Sequence, residues 1–258
     1  MKTDAEKPIV ELRGVELEFG ETKVLLGVDL AIARGDRLVV LGQSGGGKST
    51  ILRLVLGILK PTRGQILFDG ADLARLSRRR LNRMRQRIGM VYQYSALISS
   101  LSVRDNLALP LEELTDKSPA EIDELVHAKL TLVGMADTLD KMPAQLSGGM
   151  RKRVAFARGI MLDPELILFD EPSAGLDPVI SGVVDELIIE LTEKIGATSI
   201  IVTHEMESAF KIATRMVMLY EGKVVADDPP ERFRDHDHAV VAQFVSGSST
   251  GPILENTP

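Results

Sequence analysis

The residues with the clearest capacity for chemistry form a glycine-rich loop, Gly42–Ser49. The loop has the pattern G-x-x-x-x-G-K-[ST], in which glycines let the backbone curl so that its N–H groups point at phosphate oxygens. Lys48 is predicted to reach the β- and γ-phosphates of a nucleotide, and Ser49 is predicted to bind Mg²⁺. The residues predicted to contact the nucleotide are Gly42, Gln43, Ser44, Gly45, Gly46, Gly47, Lys48, Ser49 and Thr50.

A phosphate loop of this kind needs a strand before it and a helix after it, and the flanking segments fit both. Arg37–Leu41 is a short apolar run typical of a buried strand, and Ile51–Leu59 is an apolar segment that stops before Pro61, as a helix does. A helix that starts at the loop adds its positive end to the phosphate site. A plain glycine-rich turn with a solvated lysine would not need this order of strand, loop and helix, which therefore favours phosphate binding.

A pair of carboxylates follows another apolar strand, Leu166–Phe169. Asp170 and Glu171 are thereby expected at the carboxyl edge of a sheet, the edge at which open α/β folds bind ligands. Asp170 is predicted to hold Mg²⁺, and Glu171 to orient and deprotonate an attacking water. These acids could instead only cap a following helix, but the phosphate loop favours a role in hydrolysis.

The sequence patterns of the strands and helices that carry these residues predict an α/β fold. Residues 9–34 alternate apolar and polar side chains around Gly20–Glu21, which indicates a small antiparallel β layer near the N-terminus. Buried strands predicted at Leu166–Phe169 and Ser199–Val202 flank an amphipathic helix that ends before Gly196. Because strands alternate with helices, we expect a parallel sheet.

Strand patterns fade between residues 93 and 162, where Ser118–Pro119 marks the start of a helix. We therefore predict a helical subdomain at 93–162, inserted into a discontinuous nucleotide-binding core formed by 1–92 and 163–230. After Pro229–Pro230 the chain becomes polar, and 231–258 is predicted to be a tail. Its segment Gly247–Pro252 is predicted to be flexible or extended and could act as an interaction arm.

The composition argues against several classes of protein. The 258 residues are 44% apolar, enough for a packed core, and contain no cysteine, which excludes disulfides and thiolate metal sites. No segment has the roughly 18 apolar residues needed to span a bilayer, and the N-terminus lacks the apolar core of a secretory signal. The formal charge of -6 disfavours nucleic acid as a partner. We expect a cytosolic protein that reaches a membrane only through a partner.

A second glycine motif narrows the function. Leu146–Met150 resembles the LSGGQ signature of ABC ATPases, with Met150 in place of the usual glutamine. Ser147, Gly148 and Gly149 are expected to begin a helix and to form another anion-binding helix end. The resemblance implies that this end contacts the γ-phosphate of an ATP held by the opposite subunit, so that two chains bury two ATP molecules. On the segment alone, Ser147 could equally be an ordinary N-cap.

The other landmarks of this family occur in the family's order. The resemblance implies that Gln93 binds Mg²⁺ and senses a permease, that Asp177 communicates across the dimer, and that His204 contacts the γ-phosphate. Phe19 matches an aromatic residue that stacks on adenine, although it could instead belong to the buried apolar face of its strand. The implied protein is an Mg²⁺-dependent ATPase whose catalytic residues are Lys48, Gln93, Glu171 and His204.

Finer features resemble the ATPases of Mce-type lipid transporters, which include the bacterial Mla phospholipid system. They are the signature with Met150 continuing into Arg151–Ala155, Tyr94–Leu97, Val103–Leu111, and the tail residues Gln243–Gly247 followed by Gly251–Pro252. The resemblance implies lipid transport through an integral permease, an MCE-domain protein as a further partner, and a peripheral position on the cytoplasmic face of the inner membrane. In that group the tail embraces the neighbouring ATPase subunit.

An arginine-rich run from Arg75 to Arg87 contains seven arginines and no acid. Such a run could meet nucleic acid or anionic lipid headgroups. Leu73, Leu76 and Met84 recur at roughly helical spacing, so we favour a single helix with a solvated basic face.

Three other functions compete with lipid transport. A soluble ABC ATPase of DNA repair or translation would usually carry two cassettes or a long coiled coil, and this sequence has one set of motifs and no sustained heptads. An ABC transporter for amino acids, metals or lipoproteins would share every residue of the ATP site. An inactive nucleotide-binding regulator is disfavoured because Lys48, Asp170, Glu171 and His204 are all present.

Overall fold

The computed structural model describes residues 7–43 and 45–255. The described chain falls into two compact units. The first combines the residues up to Met84 with those from Thr198 onward, and the second is Arg85–Ala197. Ser44, predicted to contact the nucleotide, lies outside the described residues.

The first unit contains a four-stranded antiparallel sheet. Its strands, in spatial order, are β2 (Thr22–Ile32), β1 (Val10–Phe19), β4 (Arg63–Phe68) and β5 (Ala71–Asp72). Val15 and Leu17 of β1 are buried and the residue between them is only half-buried, so the alternation that predicted this layer follows the pleat. The predicted β layer is confirmed, and β4 and β5 extend it beyond residue 34.

The first unit also contains strands that are mostly parallel. Their spatial order is β10 (Lys223–Asp228), β9 (Arg215–Tyr220), β3 (Arg37–Gly42) and β8 (Thr198–Val202). β3 is parallel to both of its neighbours, and β10 is antiparallel to β9. Helices α1 (Lys48–Val55) and α7 (Met206–Ile212) pack against β3. Coverage by strands and helices explains why Leu38–Leu41 is a continuous apolar run, all of it buried.

Helix α1 differs in its limits from the helix predicted at Ile51–Leu59. It begins at Lys48, directly after the phosphate loop, and ends at Val55. Gly57 then takes a left-handed φ of 64°, which turns the chain out of the helix before Pro61. The apolar residues after Val55 therefore belong to a turn.

The arginine-rich run forms two short helices, so the prediction of a single helix is wrong. A 3₁₀ turn spans Leu73–Arg75, and α2 spans Arg78–Arg85. The chain is extended at Leu76, and Ser77 then begins a new helix, with its Oγ accepting a hydrogen bond from the Arg80 N–H at 3.4 Å. Met84 is buried while the arginines at the start of α2 are exposed, as a solvated basic face requires.

The tail is more ordered than the sequence predicted. It contains α8 (Pro230–Arg234), α9 (Ala239–Ser246) and α10 (Pro252–Glu255). Gln243 joins the last two helices, because its Oε1 accepts a hydrogen bond from the Ile253 N–H at 2.8 Å and its Nε2 donates to the Ser248 carbonyl at 3.2 Å. Gly247–Pro252 is therefore a folded turn, in contrast to the flexible or extended segment expected. The end of the tail, 256–258, lies outside the described residues.

The second unit contains a pair of parallel strands and several helices. The elements are β6 (Ile88–Val91), α3 (Val103–Leu114), α4 (Pro119–Leu132), α5 (Gly148–Gly159), β7 (Leu166–Asp170) and α6 (Pro178–Ile195). The helix predicted at Ser118–Pro119 is confirmed, since Ser118 and Glu121 form a capping box. The helix predicted before Gly196 is also confirmed, and Gly196 ends it with a φ of 64°.

Helix α5 is central to the second unit and packs against α3, α4, α6 and β6. Its approach to β6 is very close, because a Cβ on Gly89 would lie 2.3 Å from the carbonyl oxygen of Gly159. None of the helices within 7–43 and 45–255 has the length and apolar character that a membrane crossing requires.

Candidate functional site

The phosphate loop connects β3 to α1 in the first unit. Gly42 has a φ of 149°, and a Cβ there would lie 2.3 Å from the Leu219 carbonyl oxygen on β9. Gly47 is the N-cap of α1 with a φ of 90°. The Gly46 N–H donates to the Gln43 carbonyl at 3.0 Å and tightens the turn between these glycines. Glycine is required at both ends of the loop, for space at Gly42 and for left-handed backbone at Gly47.

Lys48 is folded over its own loop. Its side chain is buried, and Nζ donates to the carbonyl oxygens of Gly42 at 2.7 Å and Gln43 at 2.9 Å. Ser49 and Thr50 follow in the first turn of α1 and are half-buried. The loop thus presents backbone N–H groups, the positive end of α1 and a buried ammonium together, which is the chemistry that binds polyphosphate.

The β1–β2 hairpin lies against the phosphate loop. A Cβ on Gly47 would approach Val24 Cγ1 to 3.1 Å and Leu25 Cδ2 to 3.2 Å, both on β2. Phe19, the last residue of β1, is 50% exposed, whereas Val15 and Leu17 of the same strand are buried. Phe19 is therefore excluded from the strand's buried apolar face, and its ring is accessible on the hairpin beside the loop.

His204 follows β8, which pairs with β3 up to Val40 and Val202. The Thr203 N–H then donates to the Val40 carbonyl at 3.4 Å, so the chain leaves the sheet at the same edge as the phosphate loop. His204 itself is exposed. His204 and the phosphate loop thus follow neighbouring parallel strands of the first unit, and their contacts with ATP, like that of Phe19, stay predictions.

The carboxylates lie in the second unit at the end of β7. β6 and β7 are parallel, with Val91 opposite Phe169, so Gln93, Asp170 and Glu171 all follow the same edge of this strand pair. Asp170 and Glu171 are half-buried. Glu171 has a left-handed φ of 49°, which is disfavoured for a residue with a side chain and turns the chain sharply at the edge.

Two cations of α5, not predicted as part of the site, hold the backbone next to these residues. Lys152 is buried, and its Nζ donates to the Gln93 carbonyl and, at 3.5 Å, to the Glu171 carbonyl. The Arg158 guanidinium donates to the carbonyls of Ser95 at 3.0 Å and Ala96 at 2.6 Å. Burial lowers the pKa of Arg158 from its usual value.

The signature segment begins α5. Ser147 is its N-cap, and the Ser147 Oγ accepts a hydrogen bond from the Met150 N–H at 3.3 Å. Ser147 is exposed, and Gly148, Gly149 and Met150 are half-buried. A Cβ on Gly149 would lie 3.0 Å from Ile180 Cγ2, so glycine at this position leaves room for the first turn of α6 to pack against α5. The ordinary N-cap considered from the sequence is present, and binding of an anion at this helix end stays a prediction.

Asp177 has a local role that its sequence position did not reveal. It is the N-cap of α6, and its carboxylate accepts hydrogen bonds from the N–H groups of Val179 and Ile180, both at 3.1 Å. The segment Ser173–Asp177 therefore ends at the N-cap of a helix. Communication across a dimer by Asp177 stays a prediction.

Comparison with known proteins decides the family. The family model described as ABC transporter matches residues 25–174. The chain belongs to the ABC transporter family. This match includes the phosphate loop, the signature and the carboxylate pair, which are the motifs that carried the resemblance.

Two relatives of this ABC transporter family member are similar over nearly all of its length. The intermembrane phospholipid transport system ATP-binding protein MlaF of Haemophilus influenzae is 39% identical over 250 residues, 97% of this chain and 95% of MlaF. The probable ribonucleotide transport ATP-binding protein mkl of Mycobacterium leprae is 41% identical over 244 residues, 95% of this chain and 70% of mkl. The predicted resemblance to the ATPases of the Mla system is confirmed.

Solved structures of ABC proteins have the same fold. CbiO1 from Clostridium perfringens, part of the ABC transporter complex CbiONQ, has a TM-score of 0.83 and 31% identity, covering 90% of this chain and 92% of its own. A dimeric post-hydrolysis state of the ATP-binding cassette MJ0796 bound to ADP and Pi has a TM-score of 0.77 and 31% identity, covering 86% and 98%. The predicted α/β fold of the ABC-type P-loop ATPases is confirmed.

Proposed function

We propose that this chain is the ATP-hydrolysing subunit of an ABC transporter that moves phospholipid through a separate permease. The observation that carries the proposal is the similarity to MlaF, which covers 97% of this chain and 95% of MlaF. Because the two proteins correspond over nearly all of their length, the similarity extends beyond the ATP site that all ABC transporters share.

The phosphate loop and Lys48 bind the triphosphate in this proposal. Lys48 exchanges its contacts with the Gly42 and Gln43 carbonyls, at 2.7 and 2.9 Å, for phosphate oxygens. The hydroxyl of Ser49, the amide oxygen of Gln93 and the carboxylate of Asp170 suit Mg²⁺, which prefers oxygen ligands and keeps substrate phosphates among them. When bound, Mg²⁺ neutralises charge on the β- and γ-phosphates.

Hydrolysis then depends on Glu171 and on groups that stabilise charge. Glu171 accepts a proton from the attacking water, and His204 donates a hydrogen bond to the γ-phosphate. Phe19 stacks on adenine. Ser147 and the N-terminus of α5 bind the γ-phosphate of an ATP held by a second copy of this chain, as an open helix end can. The dimeric ATPase structure of MJ0796 supports this use of two copies.

An apolar groove in the second unit offers a docking site for the permease. It has a volume of about 410 Å³. Its walls come from β6, the segment after it, α3 and the end of α5, and include Ile88, Met90, Tyr92, Ile98, Leu109, Pro110, Leu114 and Arg158. Tyr92, Ile98 and Leu114 are exposed in this chain, so an apolar helix of a partner would remove them from water.

The remaining parts of the proposal concern the surroundings of this subunit. An MCE-domain protein completes the transporter, and the ATPase is peripheral on the cytoplasmic face of the inner membrane. The tail from 231 onward contacts the neighbouring ATPase subunit. These assignments rest on the resemblance of the sequence motifs to the ATPases of Mce-type lipid transporters.

Ribonucleotide transport is a second candidate, because the relative mkl is named for it. Transporters for ribonucleotide and for phospholipid would share the ATP site, so the residues described above are compatible with both. The permease and its accessory protein distinguish them.

The test is to tag the chain in its native cell, solubilise the membranes gently and identify the integral protein that co-purifies. We expect a permease together with an MCE-domain protein. A permease with any other accessory protein would contradict lipid transport but would still agree with a transport ATPase. Recovery with ribosomes or DNA and no permease would reject transport altogether.

A further inference from the structure

Lys152 is a buried cation that contacts the two functional segments of the second unit. Its side chain is 5% exposed, and it lies on α5 two residues after Met150, the last residue of the signature. Nζ donates to the carbonyl oxygen of Gln93 and, at 3.5 Å, to that of Glu171. Because a buried ammonium is unfavourable unless its N–H groups are satisfied, the position of Lys152 and the positions of these carbonyls depend on each other.

The backbone that Lys152 contacts is in conformations that need support. Glu171 has a φ of 49°, and Ser95 and Ala96, just after Gln93, have φ values of 62° and 50°. Side chains disfavour this left-handed region, so such residues persist only where the surroundings hold them. Arg158, also on α5, donates to the carbonyls of Ser95 and Ala96 at 3.0 and 2.6 Å. Helix α5 therefore holds both ends of the segment 93–96.

We propose that Lys152 is a positioning residue for ATP hydrolysis, which fixes Gln93 and Glu171 relative to the signature helix. The inference rests on the proposed function, in which Gln93 binds Mg²⁺ and Glu171 activates water. A displacement of about 1 Å in reacting groups lowers rates by about 10²-fold, so a tie between the two backbones affects turnover directly. Ser147, which is proposed to bind the ATP held by the second copy, is the N-cap of the same helix. One helix therefore connects Ser147 to the backbone of Gln93 and Glu171, which are proposed to act on the subunit's own ATP.

The experiment compares three variants of the full-length chain, purified and assayed for ATP hydrolysis. Lys152→Met keeps the length of the side chain and removes the donor, Lys152→Gln keeps an N–H donor, and Lys194→Met removes an exposed lysine of α6 as a control. We expect Lys152→Met to lower kcat about tenfold or more while KM for ATP changes less than about threefold. Its Tm should change by only a few degrees, because removal of a buried charge offsets part of the cost of leaving the two carbonyls without this donor. Lys152→Gln should recover part of kcat.

A folded Lys152→Met with the kcat of the wild type would overturn the inference, as would equal losses of kcat in the methionine and glutamine variants accompanied by a lower Tm. If the methionine variant does not fold, Lys152→Leu replaces it, and failure of both to fold would assign Lys152 a structural role and overturn the positioning role. A wild-type chain without ATPase activity would contradict the proposed function itself, which is a different result from unchanged turnover in an active enzyme.

Discussion

Glu171 comes directly after the last residue of β7, where a left-handed φ of 49° turns the chain away from the sheet. Asp170 still belongs to the strand, so the two adjacent carboxylates have different surroundings despite their proximity in sequence. This division suits their proposed roles, since a metal ligand benefits from a rigid strand and a base must face the attacking water. Local backbone geometry thus separates two chemically similar side chains.

Substitution of this base gives the first prediction. Glu171→Gln preserves size and hydrogen bonding but cannot accept a proton at neutral pH, so kcat should fall about 10²- to 10⁴-fold. Binding of ATP should persist, and the dimer should accumulate on ATP because it cannot reset by hydrolysis. Phosphate release and size-exclusion chromatography with ATP measure the two effects. Glu190→Gln, at an exposed position of α6, is the matched control. Unchanged turnover in Glu171→Gln would show that Glu171 is not the base.

Ser147 allows its two possible roles to be separated. Ser147→Ala removes the N-cap of α5 and should lower the free energy of unfolding by about 0.5–2 kcal/mol. Ser147→Asp restores a good N-cap but places a negative charge where the partner's γ-phosphate is proposed to bind. We therefore expect the aspartate variant to unfold like the wild type in urea and to have lost ATP-dependent dimerisation. An aspartate variant that is both stable and active would show that Ser147 serves only as a cap.

Sequence alone located the residues whose chemistry depends on a fixed spacing, such as the phosphate loop and the carboxylate pair. It missed Lys152 because Arg151–Lys152–Arg153 resembles a solvated basic run. The available signal was helical spacing, since Lys152 lies four residues before Phe156, which is 1% exposed. Which carbonyls a buried cation contacts depends on loops that have no periodic pattern, so the partners Gln93 and Glu171 could not be predicted.

At the scale of elements, the helices and strands with strong periodicity and clear end signals were predictable. α4 has its capping box and begins where the sequence predicted, and α6 ends before Gly196 as predicted. The break in the arginine-rich run could not be predicted, because the helical spacing of its apolar residues continues across Leu76–Ser77. In the structure the chain is extended at Leu76, and Ser77 caps a new helix. The tail escaped prediction because Gln243, a polar residue, organises it through hydrogen bonds.

Asn106 illustrates how a residue shared with a subgroup can have a structural explanation. It is part of the Val103–Leu111 segment that resembles Mce-type ATPases, and it is 1% exposed. Its amide accepts a hydrogen bond from the Ile98 N–H at 2.8 Å and donates to the carbonyls of Ile98 and Leu101 at 3.1 Å. Asn106 thus holds the loop that forms one wall of the groove, where the subgroup's permease is proposed to dock.

The contact between β6 and α5 gives a prediction at this scale. Gly89→Ala would place a Cβ 2.3 Å from the Gly159 carbonyl oxygen, and this oxygen belongs to backbone that cannot rotate away. The free energy of unfolding should fall by about 1–3 kcal/mol, measured by urea denaturation with the slope unchanged. Gly159→Ala is the matched control on the facing element. There a Cβ meets a side-chain carbon, Val91 Cγ2, at 3.1 Å and the Met90 carbonyl oxygen at 3.5 Å, an ordinary contact distance, and a gain of about 1 kcal/mol in helix propensity offsets the crowding. Equal losses in the two variants would contradict the steric explanation.

At the scale of the whole molecule, the chain combines an ATP site with an apolar groove that has no use in ATP chemistry. The groove is lined by Tyr92, one residue before Gln93, and by Arg158, which holds the backbone of Ser95 and Ala96. A partner in the groove therefore touches the same segment that carries a proposed Mg²⁺ ligand. This continuity provides a physical route by which permease binding could change the rate of hydrolysis.

The groove gives the last prediction. Leu114 is 48% exposed on the wall of the groove, so Leu114→Glu should leave the fold intact and place a carboxylate in the interface with the permease. A charge buried there without a partner should weaken binding by about 2 kcal/mol or more, so the yield of co-purified permease should fall sharply. ATP binding by the variant chain should remain, since the substitution is on α3, away from the phosphate loop in sequence.

Ile58→Glu, at a residue 56% exposed and not part of the groove, adds the same charge as a control. If both variants recover the permease equally well, the groove is not where it docks. If only Leu114→Glu loses it, the part of the chain between β6 and α3 carries the contact.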